Sequence, residues 1–144
     1  MSFNAFTLQL TQFMVSNHPD RVDETSFIEQ RGNEAARTFA ECSRNGFNVE
    51  DSILMANRTL YRGLLFSPYR LVNEVVQNEL DNTEYSEDDT ALFTMQMLSL
   101  VRPVIDGTLQ QETDPDAFEG TYRWCTLYAE ITALIKKYLQ DYGL

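Results

Sequence analysis

The sequence predicts an all-α fold, a single compact domain of about six helices over residues 1–144. Three observations lead there. Apolar residues recur at spacings of three and four almost throughout, and no stretch alternates strictly as a half-buried strand would. Helix-start residues recur at Asp23, Asn48, Ser67 and Ser86. The 144 residues are 43% hydrophobic and 23% charged, which suffices to bury a core without metals or disulfides.

Phe3, Phe6, Leu10 and Phe13 mark one face of a first helix. It should stop at Ser16-Asn17-His18, because Pro19 disfavours helical conformation in its predecessor. Asp23, with Glu24 in the first turn, predicts the N-cap of a second helix that points Ile28, Ala35, Phe39 and Cys42 inward and stops at Gly46. Asn48 and Asp51 resemble a capping box, opening a third helix with the stripe Val49, Ile53, Ala56, Leu60 and Leu64.

The stretch LYRGLLFSPYRLV, residues 60–72, then turns the chain. Gly63 loosens the end of the third helix. Ser67 caps the fourth, and Pro68 suits its first position, where a missing N–H has no partner to lose. Leu71, Val72, Val75 and Val76 give the fourth helix its apolar face before Asp81-Asn82. After an acidic loop, Ser86 and Asp89 open a fifth helix through Leu92, Met95 and Leu98, widened by Met97, Leu100 and Val101. Pro103 is expected to end or kink it, and residues 106–120 read as loop with one short turn after Asp114-Pro115. Trp124, Leu127, Tyr128, Ile131, Leu134, Ile135 and Tyr138 form the broad stripe of the last helix.

Charge excludes more than it identifies. The net charge is −11, and residues 81–120 hold ten Asp or Glu against Arg102 alone, a contribution of 1 − 10 = −9. A phosphate-gripping protein needs a cationic stripe, and none exists, so direct binding to nucleic acid or to an anionic membrane surface is not expected. No apolar run approaches the roughly 18 residues that span a bilayer, and the N-terminus lacks a signal-peptide pattern, so a cytoplasmic location is expected.

No catalytic residue, metal site or cofactor site is identifiable. His18 reads as a solvated loop side chain, and Cys42 and Cys125 read as buried thiols on apolar helix faces. A calcium loop beginning at Asp81 fails at Thr83, Tyr85 and Ser86, where oxygen ligands and a Gly are required.

The corner is the one candidate surface. Phe66 should point inward, since an exposed Phe beside Leu64 and Leu65 invites aggregation. Arg62 and Arg70 cannot follow it unpaired, because burying a lone charge costs too much. They should flank the corner, with Tyr61 or Tyr69 bridging core and surface. Tyr61, Arg62, Tyr69 and Arg70 are thus the candidate partner surface, and Gly63, Phe66, Ser67 and Pro68 the structural corner.

The segments DETSFIEQRGNEAARTF, LYRGLLFSPYRLV and the closing YGL together resemble a domain-of-unknown-function family of small helical proteins found in Bacteroidetes. The matching positions are Asp23, Phe27, Ile28, Arg31, Ala35, Ala36 and Thr38, then Gly63, Leu64, Phe66, Ser67, Tyr69, Leu71 and Val72. The resemblance implies an all-helical bacterial protein, often encoded near mobile elements, and implies no activity or ligand.

These readings favour a non-catalytic protein-interaction module, accessory to a larger bacterial system, with a protein partner of unknown identity. One alternative is an acidic decoy that occupies a nucleic-acid-binding protein, resting on the −9 segment. Another is a small-molecule enzyme or sensor, which requires a polar pocket between helices. A two-fold homodimer is a further expectation, because small aromatic-rich helical chains often bury a leftover apolar face.

Overall fold

The computed structural model describes residues 4–80 and 86–142. Phe3, the Asp81-Asn82 helix stop, Thr83 and Tyr85 of the calcium-loop spacing, and the closing Gly143-Leu144 lie outside the described residues. Among the described residues there is no strand. Six α-helices follow in order: α1 (Ala5–Asn17), α2 (Thr25–Arg44), α3 (Val49–Tyr61), α4 (Pro68–Leu80), α5 (Glu87–Leu109) and α6 (Tyr122–Asp141). Short 3-10 turns occupy Pro19–Arg21 and Pro115–Ala117. The chain divides into two units, Met1–Leu65 and Phe66–Leu144, each with its own apolar core.

The first unit is built on an α2–α3 hairpin. Gly46, at φ 92°, ends α2 in the left-handed region, and the amides of Gly46 and Phe47 close back on the carbonyls of Ser43 and Cys42. Asn48 then caps α3 by accepting from the Asp51 amide at 2.8 Å. The helices run antiparallel, with Thr38 Oγ1 3.0 Å from Thr59 Oγ1. Helix α1 lies against both. Asn4 caps it, and Gly32 of α2 lets the α1 backbone approach, since a Cβ there would stand 2.9 Å from the Thr7 Cα. Leu10, Met14, Ile28, Ala35, Ala56, Leu60 and Leu64 fill the core.

Two expectations for the helices of this unit are corrected. Asp23 does not cap α2. The Glu24 residue takes the N-cap place without a side-chain bond, because its carboxylate is held by Arg21 at 2.8 and 3.1 Å. The buried row of α3 is Ser52, Ala56 and Leu60, while Val49 and Ile53 are exposed. Small residues on that row let α2 pack closely.

In the second unit Ser67 caps α4 by accepting the Arg70 amide at 3.0 Å, and Leu71, Val72, Val75 and Val76 are buried. Ser86 caps α5 through the Asp89 amide at 3.1 Å. Helix α5 continues past Pro103 to Leu109, so Pro103 does not end it and the loop predicted from residue 106 begins later. Proline costs a helix interior about 3 kcal/mol. Burying Val101 and Ile105 on the opposite face contributes about 1.5–3 kcal/mol each, which offsets it. Pro103 and Ser99, whose carbonyl loses its donor, are both exposed to water. The α5 face matches its predicted stripe only in part. Thr94, Met97, Leu98, Val101 and Ile105 are buried, and Leu92, Met95 and Leu100 are exposed. The short turn after Asp114 is present and sets Phe118 in the core, edge-on to Phe66 at 5.2 Å between ring centroids.

Candidate functional site

The stretch 60–72 crosses the boundary between the units: Tyr61 and Arg62 belong to the first, Tyr69 and Arg70 to the second. In the first unit the chain leaves α3 through a type II turn. Arg62 has φ −57° and ψ 125°, Gly63 has φ 80°, and the Leu64 amide closes on the Tyr61 carbonyl at 2.9 Å. Gly63 is required there because side-chain-bearing residues rarely adopt that φ.

Three side chains hold this turn. Arg31 of α2 sends Nη1 to the carbonyls of Thr59, Leu60 and Arg62 at 3.4, 3.3 and 2.6 Å. A guanidinium there meets both the unpaired carbonyls and the negative end of the α3 dipole. Its other side lies over the Phe27 ring at 4.9 Å. The Tyr61 ring packs on Phe13 at 4.6 Å, and its hydroxyl accepts from Gln9 Nε2 at 2.7 Å. His18 Nε2 donates to the Leu64 carbonyl at 2.8 Å.

His18 corrects the expectation of a solvated loop residue, for it is only 1% exposed. Its amide bonds the Met14 carbonyl as the α1 C-cap, and the 3-10 turn begun by Pro19 folds the following chain around the ring. Burial lowers its pKa from the ordinary 6.5, aided by the Arg21 charge and opposed by the Leu64 bond, Asp20 and Glu24. With Nε2 donating, Nδ1 of the neutral ring is an acceptor, and it has no hydrogen-bond partner among the described residues.

Outward, the turn presents Arg62 and Leu65. The Arg62 side chain is 63% exposed and reaches Glu34 at 3.4 Å, while Leu65 is 57% exposed. In the second unit Phe66 is buried, Tyr69 is half-buried against the core and Arg70 is exposed.

Cys42 is buried, but Cys125 is exposed, which corrects its placement in the apolar stripe. The buried row of α6 is Leu127, Ile131, Ile135 and Leu139, and a residue two before Leu127 falls on the far side of a 3.6-residue turn. Among the described residues no group of three or more His, Cys, Asp or Glu is placed to hold a metal, and no helix is long and apolar enough to cross a membrane. Shallow polar hollows occur in each unit, one of them between α4 and α5.

Sequence reasoning had Arg31 only through the family resemblance and assigned it no role. An Arg one turn after an aromatic on an otherwise apolar face was the available signal. His18 carried none beyond standing at a helix end.

The family described as a domain of unknown function (DUF1896) matches residues 1–144. The crystal structure of protein PG0816 from Porphyromonas gingivalis, a Bacteroidetes organism, is similar over 96% of this chain and 91% of that one. The identity is 24% and the TM-score 0.82, a likeness of fold. No curated protein matches the chain.

Proposed function

The chain belongs to the DUF1896 family, whose description carries no activity, and we propose from the geometry of its Tyr61–Leu64 turn that it is a non-catalytic protein-interaction module. In this reading residues 1–144 act as one domain, in the cytoplasm of a bacterium, and Tyr61, Arg62, Tyr69 and Arg70 meet an acidic partner surface. The family match over the whole length supports treating the chain as one functional piece.

One observation carries the reading. The Tyr61–Leu64 turn is clamped by Arg31, His18 and Tyr61, yet its Arg62 and Leu65 side chains stand in water. A rigid backbone that presents an Arg and an apolar side chain loses little conformational entropy when it binds. The exposed Arg62–Glu34 pair is worth no more than about 1 kcal/mol, so a partner carboxylate can displace Glu34 cheaply.

The test is charge reversal, Arg62→Glu and Arg70→Glu, singly and together, with affinity purification from the native host and a melting curve for each variant. A partner recovered by the wild type and lost by the double variant at unchanged melting temperature supports a contact surface. Lost stability with recovery retained by the folded fraction means that the corner serves only the fold. Light scattering distinguishes a second copy of the chain from a different partner.

A further inference from the structure

In the second unit, α4 carries a polar row that its buried face does not need. Tyr69, Asn73 and Gln77 follow one another at four-residue intervals, so they stand in line along the helix. Asn73 and Gln77 form the shared wall of two hollows. One, of roughly 350 Å³, faces Glu87 and Thr90 of α5. The other, of roughly 250 Å³, is lined by Arg70, Glu74 and Glu119.

The ridge is a built feature. Asn73 is seated on Thr94, a fully buried residue of α5 whose hydroxyl lies 3.1 Å from the Asn73 carboxamide oxygen. The rest of that carboxamide, and the side-chain carboxamide of Gln77, make no other hydrogen bond among the described residues. Each NH2 group can therefore donate two hydrogen bonds, and the Gln77 oxygen can also accept.

The spacing fits one kind of ligand. Side chains four apart on a helix have Cβ atoms about 5–6 Å apart. Alternate residues of an extended chain repeat every 6.6 Å or so, and successive side chains leave on opposite sides. A strand laid along the ridge could pair its backbone with Asn73 and Gln77 while successive side chains drop into the two hollows. The charged lining is Arg70 against Glu74, Glu87 and Glu119, a balance of 1 − 3 = −2. A chain of net charge −11 adds a long-range pull on cations. We propose that the Asn73–Gln77 ridge of α4 is a docking strip for an extended peptide segment bearing Lys or Arg side chains.

The probe is a fluorescein-labelled peptide of alternating Lys and Thr, titrated with the protein and followed by anisotropy. Controls are a peptide of the same composition with its Lys residues in one block, and a peptide with Glu in place of Lys. The wild type should bind the alternating peptide best. The double variant Asn73→Asp/Gln77→Glu should weaken binding by about tenfold, since it removes the amide donors while adding negative charge. Glu74→Gln/Glu119→Gln should weaken it too, most at low ionic strength. Gln77→Ala, at an exposed position, keeps the test valid if the double variant melts early. No binding by the wild type overturns the proposal. So does equal or tighter binding by Asn73→Asp/Gln77→Glu, which would mean general charge attraction, or equal affinity for the block peptide. Arg62→Glu should leave peptide affinity unchanged, so this strip and the corner surface can fail separately.

Discussion

His18 converts a sequence position of no apparent consequence into a proton-sensitive fastening. The neutral ring donates from Nε2 to Leu64, and protonation would place a second N–H on Nδ1 where no acceptor waits. Its lowered pKa means that the native state binds fewer protons than the unfolded chain. The stability this contributes is complete above the ordinary value of 6.5 and is lost as pH falls from there through the lowered folded value. Because the chain has a single His, imidazole NMR reads it without assignment ambiguity. The expected result is an Nε2-protonated tautomer that titrates below 6.5, and a smaller pH dependence of unfolding in His18→Gln, whose amide can still donate to Leu64. A midpoint at or above 6.5 would refute the assignment. At Gly32 the constraint is steric. A Cβ would sit 2.9 Å from a backbone atom of α1, so Gly32→Ala should destabilise by about 1–3 kcal/mol in urea unfolding.

Among the elements, α3 depends most visibly on a neighbour. Its C-terminal carbonyls are satisfied by Arg31 of α2. Arg31→Met keeps the stem against Phe27 but removes the donors, and should cost about 1–3 kcal/mol while speeding hydrogen exchange at the Leu64 amide. Arg31→Lys should recover only part of this, because an ammonium is a point charge without the planar fork. Equal stability of wild type and Arg31→Met would reduce the contact to surface decoration. The two ends of the hairpin differ in how they were readable. The Gly46 stop and the Asn48 cap depend on local chemistry and stand where the sequence puts them. Ser52 on the buried row is a matter of how closely α2 approaches, which local chemistry does not encode.

For the molecule as a whole, charge is the governing quantity. The net −11 and the missing cationic stripe predict no DNA shift in a gel at physiological salt. Micromolar binding there would overturn that expectation. The acidic segment also has a structural use within α5. Glu87, Asp88 and Asp89 fill its first turn, where negative charge meets the positive end of the helix dipole.

The all-helical class, the cap residues Asn48, Ser67 and Ser86, the Gly46 stop and the Ser67-Pro68 start were all legible from the chain, because each depends on residues within a few positions of one another. The family resemblance was legible too, and the family match bears it out. Contact between distant segments decided the rest. The stripes of α3 and α5 hold at Ala56, Leu60, Leu64, Met97, Leu98 and Val101 but not at Val49, Ile53, Leu92, Met95 and Leu100, because an apolar residue exposed beyond a partner's edge looks in sequence like one beneath it. Pro103 is expected from sequence to end or kink α5, and that the helix continues past it depends on the burial of Val101 and Ile105, a property of the core. At the candidate site the turn-forming Gly63 and Tyr61 were visible, but the other two side chains that hold the turn were not. Arg31 and His18 reach the turn from sequence separations of 31 and 46 residues. Only folding brings a charge to the end of one particular helix, or closes a core around one particular imidazole.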